Sequence, residues 1–178
     1  MSVLAWIIVV VALLQLRAWR RRRAARAERV SRPRELRDAE LMYMEKRFRT
    51  RRPIHLVAQL DRAYRAPDGA LVLVELKTRW GGPQISDVIQ LSAQRMAIKG
   101  HTGQRVASHA FVTIERPGVN RLLRWHRVQL LDDAQLVDLA HRRTEILDGR
   151  AVAHYAGKVE ACHRCPYRSE CGRFRSIG

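Results

Sequence analysis

The sequence predicts an α/β fold in which one mixed sheet carries helices on both faces. Three observations point there. Two apolar stretches, IHLVAQLDRAY (54–64) and LVLVELKTRW (71–80), flank the turn APDG (66–69) and read as a β-hairpin. Two helical patterns follow, SDVIQLSAQRMAIKG (86–100) and DDAQLVDLAHRRTEILDG (132–149), each opening on Ser or Asp and closing on glycine. Between them lie two further strand-like runs, RVASHAFVTIE (105–115) and RWHRVQLL (124–131).

Ahead of the hairpin, PRELRDAELMYMEKRFRT (33–50) predicts a helix, opened by Pro33 and striped by Leu36, Leu41, Met44 and Phe48. Within 86–100, Ser86 is the expected N-cap and Gly100 the expected stop. Further upstream, VLAWIIVVVALLQL (3–16) is apolar except for Gln15. Continued to Trp19 it reaches about 17 residues, the lower limit for a helix crossing a bilayer. Arginines follow this run instead of preceding it, and no A-x-A-like site appears, so it is not patterned as a cleaved signal. The expectation is a single-pass membrane anchor over 1–19, with Trp6 and Trp19 near the interfaces, and a basic juxtamembrane linker over 20–31. The positive-inside rule then keeps the rest of the chain cytoplasmic. A helix lying on the membrane surface and a misassigned start codon are the alternatives.

Hydrophobic residues make up 47% of the chain, which excludes a disordered one. The formal net charge is +17, from 34 Lys and Arg against 17 Asp and Glu. Residues 17–29 hold seven Arg and one Glu; without them the remainder still has 27 basic against 16 acidic residues. Such an excess predicts a polyanionic partner, nucleic acid or an anionic membrane surface.

The hairpin then raises a chemical question. Alternate side chains of a strand share a face, so Glu75 and Lys77 point the same way. With the turn centred on Pro67–Asp68–Gly69, opposed residues have numbers summing to about 136, and Asp61 falls opposite Glu75. Leu60, Val72, Val74 and Leu76 are expected on the other face, which sets the register. Two opposed carboxylates repel unless a cation lies between them. Lys77 neutralises one of them; a divalent hard ion such as Mg²⁺ satisfies both. A lone E-x-K would carry little. Set in an apolar strand with an opposed acid, it carries more.

At these residues the sequence resembles the PD-(D/E)XK nuclease superfamily, and within it the RecB-like branch. Asp61 matches the first acid, ELK (75–77) matches (D/E)-x-K, and QLSAQ (90–94) matches the Q-x3-Y motif of the next helix, with Gln94 in place of the commoner tyrosine. Ala58 and Gln59 stand where the family's glycine is expected. The resemblance implies a restriction-endonuclease-like αβββαβ core over 32–158. It further implies a catalytic set of Asp61, Glu75, Lys77 and Gln90, and an Mg²⁺ or Mn²⁺ ion on Asp61, Glu75 and the Leu76 carbonyl. Glu40, or else His55, is the candidate for the assisting group of the leading helix. DNA is the implied substrate.

The tail, 159–178, contains CHRCPYRSEC (162–171), a C-x2-C-x5-C pattern resembling the cysteine motif of iron–sulfur members such as the CRISPR-adaptation nucleases. Cys162, Cys165 and Cys171 are the only cysteines, one short of the usual four ligands. His154 or His163 completing a Zn²⁺ or cluster site, a [4Fe-4S] cluster on three thiolates, and thiols that merely pack or form a disulfide all remain open. Arg79, Arg95, Lys99 and Arg105 are candidates for holding phosphates, and Trp80 for stacking a base. His109 reads as a packed strand histidine, and His126 and His141 have no partner at ligand spacing.

Overall fold

The computed structural model describes residues 6, 10–17, 19, 29–118, 123–154, 162, 165 and 167–171. The chain divides into two compact units, Met1–Val137 and Asp138–Gly178. The first holds a five-stranded sheet of β1 (Glu40–Thr50), β2 (Leu56–Arg65), β3 (Leu71–Thr78), β4 (Val106–Glu115) and β5 (Leu123–Gln129), in that spatial order. The β1–β2, β2–β3 and β4–β5 pairs are antiparallel. The β3–β4 pair is parallel, and a parallel pair needs a crossover; α1 (Ile85–Thr102) supplies it. A second helix, α2 (Asp133–Leu147), follows β5.

Helix α1 covers one face of the sheet. Its Leu91, Ala97 and Ile98 join Phe48, Leu60, Ala63, Leu71, Leu73, Ala110, Val112 and Ile114 in the main core. Burying a side chain such as Leu or Phe contributes about 1.5–3 kcal/mol, so this layer is the main support of the unit. The opposite face carries a smaller cluster, with Tyr64, Val72, Val74 and Phe111 closed over by Leu36 from a 3₁₀ turn at Arg34–Leu36.

Several expectations change here. Residues 33–50 do not form the expected leading helix: the 3₁₀ turn is followed by strand β1. The approximate helical stripe is not buried as a stripe, since Leu41 and Met44 are exposed. A period of two was present at the far end, where Phe48 and Thr50 are buried and Arg47, Arg49 and Arg51 are exposed. Ten residues of β2 supply that pattern with a partner, and pairing prevails over the weaker helical spacing. Helix α1 begins after Gln84, not Ser86, with a capping box between Gln84 and Asp87. It runs through Gly100 and stops at Gly103, which adopts φ +69°.

Of the expected anchor, residues 6, 10–17 and 19 are described; they are helical and exposed. The other positions of 1–19, and the linker up to residue 28, lie outside the described residues. Among the described residues no helix is long and apolar enough to cross a membrane.

Candidate active site

Ladder pairing between β2 and β3 runs from Arg65↔Leu71 to Arg62↔Val74 and stops. Its index sum is the expected 136. Beyond that rung β3 continues beside β4 to Thr78↔Glu115, and β2 continues beside β1 to Leu56↔Thr50. The sheet forks, and Asp61 stands at the junction.

The fork coincides with a break in strand alternation. In β2 both Leu60 and Ala63 reach the main core, three residues apart, so Leu60 does not share a face with Val72 and Val74 as expected. In β1 Tyr43 and Phe48, five apart, likewise pack on the same core. Both strands change phase within the stretch from Tyr43↔Ala63 to Phe48↔Ala58, next to the register shift between Leu41 and Tyr43. The residue opposite Asp61 there is Glu45, which adopts φ +48°. A non-glycine residue in this left-handed region costs about 1–2 kcal/mol. Leu76, expected on the apolar face, is 44% exposed.

Freed from the ladder, Asp61 turns its carboxylate to β3, where Oδ2 accepts the Leu76 N–H at 3.0 Å. The N–H and C=O of one strand residue face the same edge. The Leu76 carbonyl therefore also faces the fork, where β2 offers it no ladder partner. Glu75 has the opposite backbone sense: its carbonyl accepts the Thr113 hydroxyl of β4 at 3.0 Å.

Glu75 is 2% exposed. A carboxylate so deep must be compensated. Lys77 Nζ donates to its Oε1 at 2.7 Å, Gln90 Nε2 to the same oxygen at 2.6 Å, and Gln94 Nε2 to Oε2 at 3.0 Å. Lys77 Nζ also donates to Gln90 Oε1 at 3.0 Å, closing a Glu75–Lys77–Gln90 ring. An ammonium has three protons, and two are used here, so the third can be offered to a ligand. Gln94, 1% exposed, also donates to the Gln59 carbonyl of β2 at 2.9 Å and so spans the fork. Its Oε1 has no hydrogen-bond partner among the described residues.

Just beyond, Arg79 binds Asp87 through both terminal nitrogens and donates to the Gly82 carbonyl at 3.2 Å. Burial, the largest influence on Asp87, raises its pKa. The Arg79 hydrogen bond, the Gln84 N–H and the charges of Arg79 and Lys77 outweigh it and hold the pKa below the usual aspartate value. This pair locks the start of α1, the helix that presents Gln90 and Gln94.

Glu40 begins β1 opposite Arg65, four rungs or about 13 Å from Asp61, and His55, just ahead of β2, lies six residues or about 20 Å from Asp61, so neither joins the acids. Arg95 and Lys99 share Asp133, with Lys99 at 2.5 Å, and Arg105 pairs with Asp68 at 3.1 Å. With Arg79 on Asp87, all four expected phosphate binders are held by carboxylates of the chain itself. Trp80 is 60% exposed with Arg116 over its ring, and His109 is paired with Glu35 at 2.6 Å. Cys162, Cys165 and Cys171 are free thiols, and His163 lies outside the described residues. Among the described residues no group of three or more His, Cys, Asp or Glu could hold a metal. Sequence reasoning missed Glu45, Thr113 and the bridging role of Gln94. A polar threonine inside HAFVTIE and the four-residue spacing of the glutamines were the available signals; nothing local marked Glu45.

Asp61, Glu75 and the Leu76 carbonyl are hard oxygen donors, the type Mg²⁺ takes. Asp61 has a single N–H partner among the described residues, and the Leu76 carbonyl faces it, so the donor set fits such an ion. Water and substrate oxygens would complete its shell.

The five-stranded mixed sheet, with two carboxylates, a lysine and a glutamine at its fork, fits a restriction-endonuclease-like α/β fold. The chain belongs to the PD-(D/E)XK nuclease superfamily, whose sequence model matches residues 9–172. Members of this superfamily usually use Mg²⁺ or Mn²⁺. The comparison with curated proteins returned no match. Among solved structures the chain is similar to one described as the crystal structure of SSO0001, at 18% identity and a TM-score of 0.48, covering 76% of this chain and 61% of that one. The chain thus spans about three-fifths of that protein's length.

Proposed function

We propose that this protein is a RecB-like nuclease that hydrolyses DNA phosphodiester bonds with Mg²⁺ or Mn²⁺ at the β2–β3 fork. The observation carrying this reading is the ring of Glu75, Lys77 and Gln90 beside an Asp61 that is bound to the intervening Leu76 N–H. Asp61, Glu75 and the Leu76 carbonyl would hold the ion. When bound, it would neutralise phosphate charge and lower the pKa of an attacking water. Lys77, fixed by two acceptors, directs its remaining proton at that water or at a phosphoryl oxygen. Gln90 keeps the ammonium in line. The buried Glu75 holds the lysine in place through the 2.7 Å bond to Oε1.

The long apolar run and its arginine flank support a single-pass anchor over 1–19, a linker over 20–31, a catalytic domain over 32–158 facing the cytoplasm, and a tail over 159–178. The C-x2-C-x5-C spacing supports a zinc ion or iron–sulfur cluster on Cys162, Cys165 and Cys171. A colourless, metal-free sample after anaerobic purification would remove the tail assignment, and recovery of the full chain outside the membrane fraction would remove the anchor.

The catalytic reading is tested by Mg²⁺-dependent digestion of single- and double-stranded DNA by the wild type, Lys77→Ala and Glu75→Ala. Each variant is expected to lose at least about 100-fold in rate. Equal cleavage by all three would reject it. A second reading, a DNA-binding module without catalysis, is favoured by the three N–H donors that already satisfy Glu75; absence of metal-dependent cleavage in the wild type, with binding intact, would establish it.

A further inference from the structure

We propose that β1 carries a phosphate track, a surface distinct from the acidic fork, that holds the nucleic-acid strand entering it. The proposal rests on the nuclease reading above. Lys46, Arg47, Arg49, Arg51 and Arg52 fall within seven positions and are all exposed. None has a carboxylate partner among the described residues, in contrast to Arg79, Arg95, Lys99 and Arg105.

Their geometry is that of a row. Arg47 and Arg49 sit on the outermost strand of the sheet, two positions apart, and Arg51 continues the spacing just past its end. Alternate strand residues are about 7 Å apart, close to the separation of successive phosphates along a strand. The three arginines line one open pocket with Phe48 and His101. His101 Nδ1 lies 3.2 Å from the Arg49 carbonyl, which can only accept, so Nδ1 donates and the ring is held beside the arginines. Gly100 makes this approach possible: a Cβ there would lie 2.2 Å from Thr50 Oγ1.

The row is continuous with the fork. Glu45 is opposite Asp61, and Lys46 is the next residue, paired with Leu60. Lys46 lies over the Tyr43 and Phe48 rings, so the arginine row begins at Arg47, two positions past Glu45 and paired with Gln59, and runs outward along the same hairpin. Cations on an edge strand also discourage edge-to-edge pairing. That role does not require three guanidinium groups and an imidazole around one pocket. A lipid surface would call for exposed apolar side chains among the cations. Here the interleaved Phe48 and Thr50 are buried.

The test is binding of fluorescent single- and double-stranded oligonucleotides to the full chain in EDTA, by anisotropy, from 50 to 200 mM salt. The triple variant Arg47→Gln/Arg49→Gln/Arg51→Gln should bind at least tenfold more weakly at low salt. Its slope of log affinity against log salt should be smaller by about 2 to 3, at roughly 0.7–0.9 for each phosphate no longer neutralised. Arg150→Gln, which removes a cation paired with Asp148, should leave the slope unchanged. Comparing slopes cancels the contribution of the arginines at 17–29. If the triple variant does not fold, Arg49→Gln alone should lower the slope by just under one unit.

An unchanged slope overturns the track. So does a triple variant that loses binding to phosphatidylserine vesicles while keeping its oligonucleotide slope. If the slope persists while Glu75→Ala and Lys77→Ala abolish cleavage, the track falls and the nuclease reading stands. A wild type that binds no oligonucleotide at any salt brings down both.

Discussion

Arg79 and Arg49 make an instructive pair. Both are arginines near the fork, yet Arg79, just past the end of β3, is clasped by Asp87 at the start of α1, while Arg49 stands exposed on the edge strand. The difference holds for their neighbourhoods. Cations around the β3–α1 side are compensated by the chain's own carboxylates, and those along β1 are not. Basic residues near a site are therefore not interchangeable: some hold the fold together, and others are left for a polyanion.

The largest expected effect lies at the junction itself. Asp61→Asn keeps an oxygen to accept the Leu76 N–H but removes the charge. Cleavage should fall by about 1000-fold while the melting temperature hardly moves. Full activity in this variant would mean that the fork is not the reactive centre. Asp87→Asn comes next, and it separates a structural Arg79 from a substrate-binding one. Breaking this largely buried pair should cost about 3 kcal/mol, read by denaturant unfolding. A gain in DNA affinity without loss of stability would instead assign Arg79 to phosphate.

The same pair predicts a pH dependence. The Asp87 pKa is lowered in the folded protein, so its contribution is fully present above the ordinary aspartate value of about 4 and is lost as pH falls through the lower folded value. The stability gap between wild type and Asp87→Asn should close over that acid window. A smaller effect is expected for Gly100→Ala. In an open helix this change gains about 1 kcal/mol, but here the new Cβ meets Thr50, so a net loss of about 2 kcal/mol should appear as a lower melting temperature. Arg105→Gln should be the mildest. Its pair with Asp68 is exposed on both sides, and such pairs contribute less than about 1 kcal/mol.

The β2–β3 register near the turn was legible because a single turn and two alternating strands leave few other pairings, and the sum of 136 holds from Arg65↔Leu71 to Arg62↔Val74, short of the expected Asp61↔Glu75 rung. The cluster of Glu75 and Lys77 followed from their two-residue spacing. β1 was harder to read: its clean alternation covers only Arg47 to Arg51, and the phase change between Tyr43 and Phe48 disguises the rest as approximate helical spacing. The fork had no local signature at all, since it arises from where two ladders end. Partners of the cations were equally hidden. Arg95 and Asp133 are 38 positions apart in the chain, and only folding brings them within 3.8 Å.

Gln94 occupies the position where a tyrosine is commoner in the family, and its consequence is mechanical. A phenol has one proton to give, whereas a primary amide nitrogen has two. With both engaged, this side chain staples the Gln59 carbonyl to the Glu75 carboxylate and fixes the aperture between the two halves of the divided sheet. Shortening that staple would let the mouth gape, changing which polymers can enter before it changed any reacting group.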